Sequence, residues 1–102
     1  MDSRILNVVV KGDSMWPTLS DGETVQFEKI NPNNLEVGQI VLTTHPLKSK
    51  IMIIKRIKSL NEETVFLIGD NPDPNASEDS HNFGPVKQSE ILATLSLNKN
   101  LA

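Results

Sequence analysis

A lysine on an apolar strand face and a serine in a proline-bounded turn stand in settings that could do chemistry. In Ile51-Met52-Ile53-Ile54-Lys55-Arg56-Ile57, alternate residues of an extended chain share a face. Lys55 then lies with Ile51, Ile53 and Ile57, while Met52, Ile54, Arg56 and Lys58 make a more mixed face. Burial disfavours an ammonium, so a lysine enclosed there loses its proton more easily and can act as a general base. The same pattern also suits a lysine that lays its stem along the apolar wall and keeps its head in water. Ser14 sits in Gly12-Asp13-Ser14-Met15-Trp16-Pro17-Thr18-Leu19. A serine leaving a strand into such a turn can be exposed, with backbone N–H groups free to face a developing oxyanion. It can equally cap a helical turn with Pro17 inside its first turn. Trp16 stands where the nucleophile elbow of α/β-hydrolases needs its second glycine, so that motif is excluded.

The elements that must position these residues read mostly as strands. Residues 4–11 carry Val8-Val9-Val10, β-branched residues suited to a pleated sheet. Asp21-Gly22 marks a turn before an alternating strand over 23–30, and Asn31-Pro32-Asn33-Asn34 is a loop by composition. Further strands are expected over 38–44, 50–60, 64–68 and 91–97, the middle pair forming a hairpin around Asn61-Glu62-Glu63. Residues 69–85, with Pro72, Pro74, Gly84 and Pro85, read as one long irregular loop. Compact domains seldom keep such a loop without a use for it. The expected fold is mainly β, a barrel-like arrangement of short antiparallel strands with a long loop on the site's side.

Composition narrows the function class. The chain has 102 residues, one domain's worth, and a formal net charge of −3, which argues against a nucleic-acid partner. It has no cysteine, which removes disulfides, thiolate zinc sites and a Cys nucleophile. No stretch reaches the roughly 20 apolar residues that span a bilayer, and Met1-Asp2-Ser3-Arg4 lacks the apolar run of a secretory signal. A cytoplasmic protein without a membrane anchor is the expectation. Asp70, Asp73, Glu78, Asp79 and His81 share the long loop but lack the glycine of a calcium loop, so no metal and no cofactor is expected. Ser96-Leu97-Asn98-Lys99 fits S-x-x-K without its companion motifs. His45 and His81 lack the setting of a Ser–His–Asp triad.

Taken together and in this order, the segment 12–19, Gly38-Gln39-Ile40-Val41, Lys55-Arg56-Ile57, Gly69-Asp70-Asn71 and 77–84 resemble the type I signal peptidase superfamily of Ser–Lys proteases. That superfamily also includes the self-cleaving repressors. The resemblance implies a signal-peptidase or repressor-protease-like barrel, with Ser14 as nucleophile and Lys55 as base. It further implies that Ser77 orients Lys55 and that the Gly12 and Ser14 backbone serves the oxyanion. Asp70 would pair with Arg56, and Asp79 would buttress the loop. His81 stands where most relatives carry arginine; a His81–Asp79 contact would be pH-sensitive in a way arginine is not. Gln39 stands where an aspartate is usual. A peptide substrate would add beside the strands ending at Gly12 and Lys55, against Val8, Val10, Ile51 and Ile53, with Met15 and Trp16 as an exposed apolar tip. Among superfamily members, short soluble ones resemble the nickel-type superoxide dismutase maturation proteases, which implies a dismutase proprotein as partner. Another soluble signal-peptidase-like or repressor-like protease, or a catalytically inactive peptide-binding module on the same scaffold, are the alternatives.

Overall fold

The computed structural model describes residues 4–29, 34–76 and 78–96. Seven strands, β1 (Ile5–Val9), β2 (Thr24–Lys29), β3 (Ile40–His45), β4 (Lys48–Leu60), β5 (Thr64–Ile68), β6 (Val86–Lys87) and β7 (Ile91–Leu95), form one sheet. The order across it is β1-β2-β7-β3-β4-β5-β6, antiparallel throughout. The mainly β expectation holds. Among the described residues no ladder joins the end strands β1 and β6.

Strand β3 is buried along nearly its whole length, because each of its faces meets a different core. Ile40 and Leu42 join Val10, Met15, Leu19, Val25, Phe27 and Ala93 in one cluster. Val41 joins Leu35, Ile57, Val65, Leu67, Val86 and Ile91 in the other. A strand apolar on both faces is what such a position demands, whereas β2 alternates buried and exposed residues as a one-sided strand must.

Residues 10–19 cover the first core. The Leu19 N–H donates to the Met15 carbonyl at 2.9 Å, a single helical turn that turns both side chains inward to 1% and 0% exposure. Beyond β1 the ladder continues through Val10 and Glu23 into the turn at Gly22, whose φ of 87° is open mainly to glycine.

The structure departs from expectation in the long loop and at strand ends. Residues 69–85 are not wholly irregular: Asp79 caps a one-turn helix, α1 (Ser80–Phe83), through a capping box with Asn82. The Ser80 hydroxyl, buried, accepts the Leu67 N–H at 2.9 Å and fixes that helix to β5. Strand β6 escaped notice because its Val-Lys pair is too short to show a period. The last strand ends at Leu95, not 97.

Candidate active site

Ser14 is held by its neighbours rather than by its own side chain. Met15, immediately after it, is locked in the first core, and the Trp16 N–H closes back on the Asp13 carbonyl at 3.1 Å. From the far loop, the Asn71 N–H donates to the Ser14 carbonyl at 3.0 Å and the Asn71 side-chain amide to the Asp13 carbonyl at 2.8 Å. The serine is thus clamped on the carbonyl side while its half-buried side chain faces a cleft. The Gly12 assignment needs correcting. Its N–H donates to Asp21 Oδ1 at 2.7 Å, so this donor is already engaged and unavailable to an oxyanion.

Lys55 stands on β4 opposite Val41 of β3, a residue with no exposed surface, and is itself only 4% exposed. That decides between the two sequence readings: the amine is enclosed, not led to bulk water. Burial pushes its pKa below the ordinary lysine value, while the carboxylates of Asp79 and Glu78 act against that without reversing it. The apolar face predicted around it is real only from Ile53 inward, since Ile51 at the outer end of β4 is 47% exposed.

Ser14 and Lys55 line the same cleft, of about 450 Å³. Val8, Val10, Met15, Ile51 and Ile53 line it too, with Gly12 and Ala76. Trp16 is not among the lining residues and is 50% exposed. Met15 was expected beside it as an exposed tip; it is instead core, because the single turn through Leu19 points it inward. The walls are strand edges. Strand β1 pairs only with β2, and residues 48–54 of β4 pair only with β3, so each leaves a row of backbone groups without a ladder partner among the described residues.

A polar strut ties the pieces together. The Arg56 guanidinium donates to both Asp70 oxygens, at 2.7 and 2.6 Å, and to the Gly38 carbonyl at 2.6 Å. The Thr18 hydroxyl donates to the same carboxylate at 2.6 Å. Asp70, held below the usual carboxylate range by Arg56 first and by Thr18 also, therefore links β4 to the turn carrying Ser14. Asp79 caps α1, and His81 Nδ1 lies 3.0 Å from its Oδ1. Ser77 lies outside the described residues. Among the described residues no three His, Cys, Asp or Glu side chains converge as a metal site would require, and no helix is long and apolar enough to cross a membrane.

The Peptidase S24-like family model matches residues 2–93. The chain belongs to that family. It is also similar to the mitochondrial inner membrane protease subunit 1 of Schizosaccharomyces pombe, 32% identical over 107 residues that cover 83% of this chain and 67% of the relative. Both findings support a signal-peptidase-like peptidase. For a Peptidase S24-like chain, the cleft holding Ser14 and Lys55 is the candidate active site. Sequence reasoning missed Asn71 and Thr18 as clamps on the Ser14 turn. Their signal was only their place in the motifs Gly69-Asp70-Asn71 and 12–19. His45, buried at the end of β3, is not marked out by the types of its neighbours in the sequence.

Proposed function

We propose that the chain is a serine endopeptidase in which Ser14 is the nucleophile and Lys55 the general base. The observation that carries this reading is a buried lysine, with its pKa lowered by burial, lining one cleft with a clamped serine. The neutral amine takes the Ser14 Oγ proton as that oxygen attacks the scissile carbonyl. The ammonium so formed returns the proton to the leaving amine, and Lys55 then activates the water that hydrolyses the acyl-enzyme. The Ser14 N–H is the oxyanion donor in this scheme, and Ser77 orients the Lys55 amine.

A peptide in extended form would bind by pairing its backbone with the free edges of β1 and β4, its side chains meeting Val8, Ile53 and their neighbours. The proposed reaction is removal of a leader from a precursor protein in the cytoplasm, with the nickel superoxide dismutase proprotein as the specific substrate. That substrate rests on the motif resemblance alone.

The test compares wild type with Ser14→Ala and Lys55→Ala on a precursor or peptide substrate. Either substitution is expected to lower cleavage at least about a thousandfold; equal cleavage by all three proteins would refute the dyad. Co-expression with the nickel dismutase precursor separates substrate from mechanism. An intact leader beside protein that cleaves another precursor through Ser14 would remove the dismutase assignment and keep the enzyme.

A further inference from the structure

His45 takes no part in the reaction drawn above, yet its ring is enclosed. It ends β3 and is 6% exposed. Its Nδ1 accepts the Leu47 backbone N–H at 3.0 Å, so in the neutral ring the proton resides on Nε2. That Nε2 is buried and makes no hydrogen bond among the described residues. Glu78 Oε1 lies 3.4 Å from it, inside ion-pair range but off hydrogen-bond alignment. A buried donor left unmatched opposes folding, and one kept in a fold calls for a use. Phe83, the last residue of α1, packs on the same ring at 5.1 Å. One imidazole therefore touches the chain on both sides of Asp79, the α1 cap.

Glu78 and Asp79 are the carboxylates whose charge acts on Lys55. Asp79 is fixed by α1 and His81. Glu78 differs: its partners are His45 and, at 3.7 Å, Lys48, both from the β3–β4 hairpin, and its side chain is 61% exposed. We propose that His45 is a positioning residue whose buried Nε2–H, 3.4 Å from Glu78 Oε1, attracts that carboxylate to the β3–β4 hairpin and so fixes its charge relative to Lys55. The inference rests on the Ser14–Lys55 reading for its consequence in catalysis. The charged groups around the site are Asp79 and Glu78 from the segment leading into α1, Lys48 from β4 and His81 from α1, with Lys11 and Asp13 lining the cleft beside Lys55 and Lys87 and Glu90 lining the one beside His45. His45 governs the placement of Glu78 alone.

The experiment follows the Lys55 titration by NMR of its Cε methylene in a Ser14→Ala background, and the pH profile of kcat/KM in the active protein. Glu78→Gln removes a charge that favours the ammonium. It is expected to lower the Lys55 midpoint and shift the acid limb of kcat/KM downward by on the order of half a pH unit. His45→Phe, which keeps the ring's bulk and loses its donor, is expected to reproduce much of that shift. His45→Gln, which keeps an N–H donor, is expected to restore the wild-type midpoint, and the double variant His45→Phe/Glu78→Gln to add nothing to Glu78→Gln. A Lys55 midpoint unmoved by Glu78→Gln, or a His45→Phe shift that persists in full on top of Glu78→Gln, overturns the proposal. If His45→Phe does not fold, the His45 Nε2 resonance decides instead: it must move on Glu78→Gln, and an unmoved resonance overturns the proposal. The NMR arm needs no turnover. Expected shifts in a protein that cleaves nothing would sink the protease reading and keep the positioning role; Ser14-dependent cleavage without the shifts would do the reverse.

Discussion

Lys55 shows what a single residue's setting can and cannot reveal. Its neighbours Ile53 and Ile57 made enclosure legible as one of two outcomes, but a lysine's long stem allows the head to reach water from many apolar walls. In the fold Lys55, paired with Val41 from a distant part of the chain, is only 4% exposed, and that route is closed. A lysine with a lowered folded-state pKa binds its proton more tightly when unfolded, so stability rises with pH from that folded pKa up to about 10.4. Each unit of lowering opposes folding by about 1.4 kcal/mol at pH values below both pKa values. Lys55→Met is therefore expected to abolish cleavage while raising the melting temperature at neutral pH. The gain should shrink as the pH approaches 10, which thermal unfolding at several pH values checks. In the wild type the cleavage rate should climb with pH through a midpoint below the ordinary lysine value.

At the scale of elements, strand existence was readable and the loop's internal order was not. Apolar and β-branched runs bounded by turn residues, with clear alternation over 23–30, located six strands, because such patterning is a local property. The capping box at Asp79 and the Asn71 clamp depend on groups that meet only in the folded loop, and Pro72, Pro74 and Pro85 made that stretch look structureless. The Arg56–Asp70–Thr18 strut carries a prediction of its own. Asp70→Asn removes the charge from a bidentate bond and is expected to cost about 2 kcal/mol, less where Arg56, 31% exposed, is screened by water. Because the Asp70 pKa is depressed on folding, its contribution is complete above about pH 4 and fades as the pH falls through the folded-state value. Asp70→Asn and wild type should thus converge in stability under strong acid, measured by denaturant titration. Arg56→Lys should behave much like Asp70→Asn, since an ammonium cannot span both oxygens. Met15→Ala, which empties a fully packed position one residue from Ser14, is expected to cost about 2–5 kcal/mol and to lower kcat with it.

Across the whole molecule the cleft is a consequence of topology. Strands β1 and β4 are separated by β2, β7 and β3 in the sheet, yet both line the cleft beside Ser14 and Lys55. If a peptide binds by backbone pairing there, methylating alternate backbone nitrogens of a ligand should abolish binding to the Ser14→Ala protein, whereas methylating the intervening ones should spare it. Calorimetry with the paired ligands distinguishes this from side-chain capture alone, in which both methylation patterns would bind alike.

The sequence by itself determined the β class and the order of the motifs, and it singled out Ser14 and Lys55 as candidates, because periodicity and motif spacing are carried locally along the chain. Tertiary structure alone decided that Lys55 is enclosed and that Met15 is core rather than an apolar tip. It also decided that Gly12 has given its N–H to Asp21 and that His45 faces Glu78. Each of those outcomes turns on a contact between residues far apart in the chain, and a buried or bonded state is a property of the pair, not of either residue type.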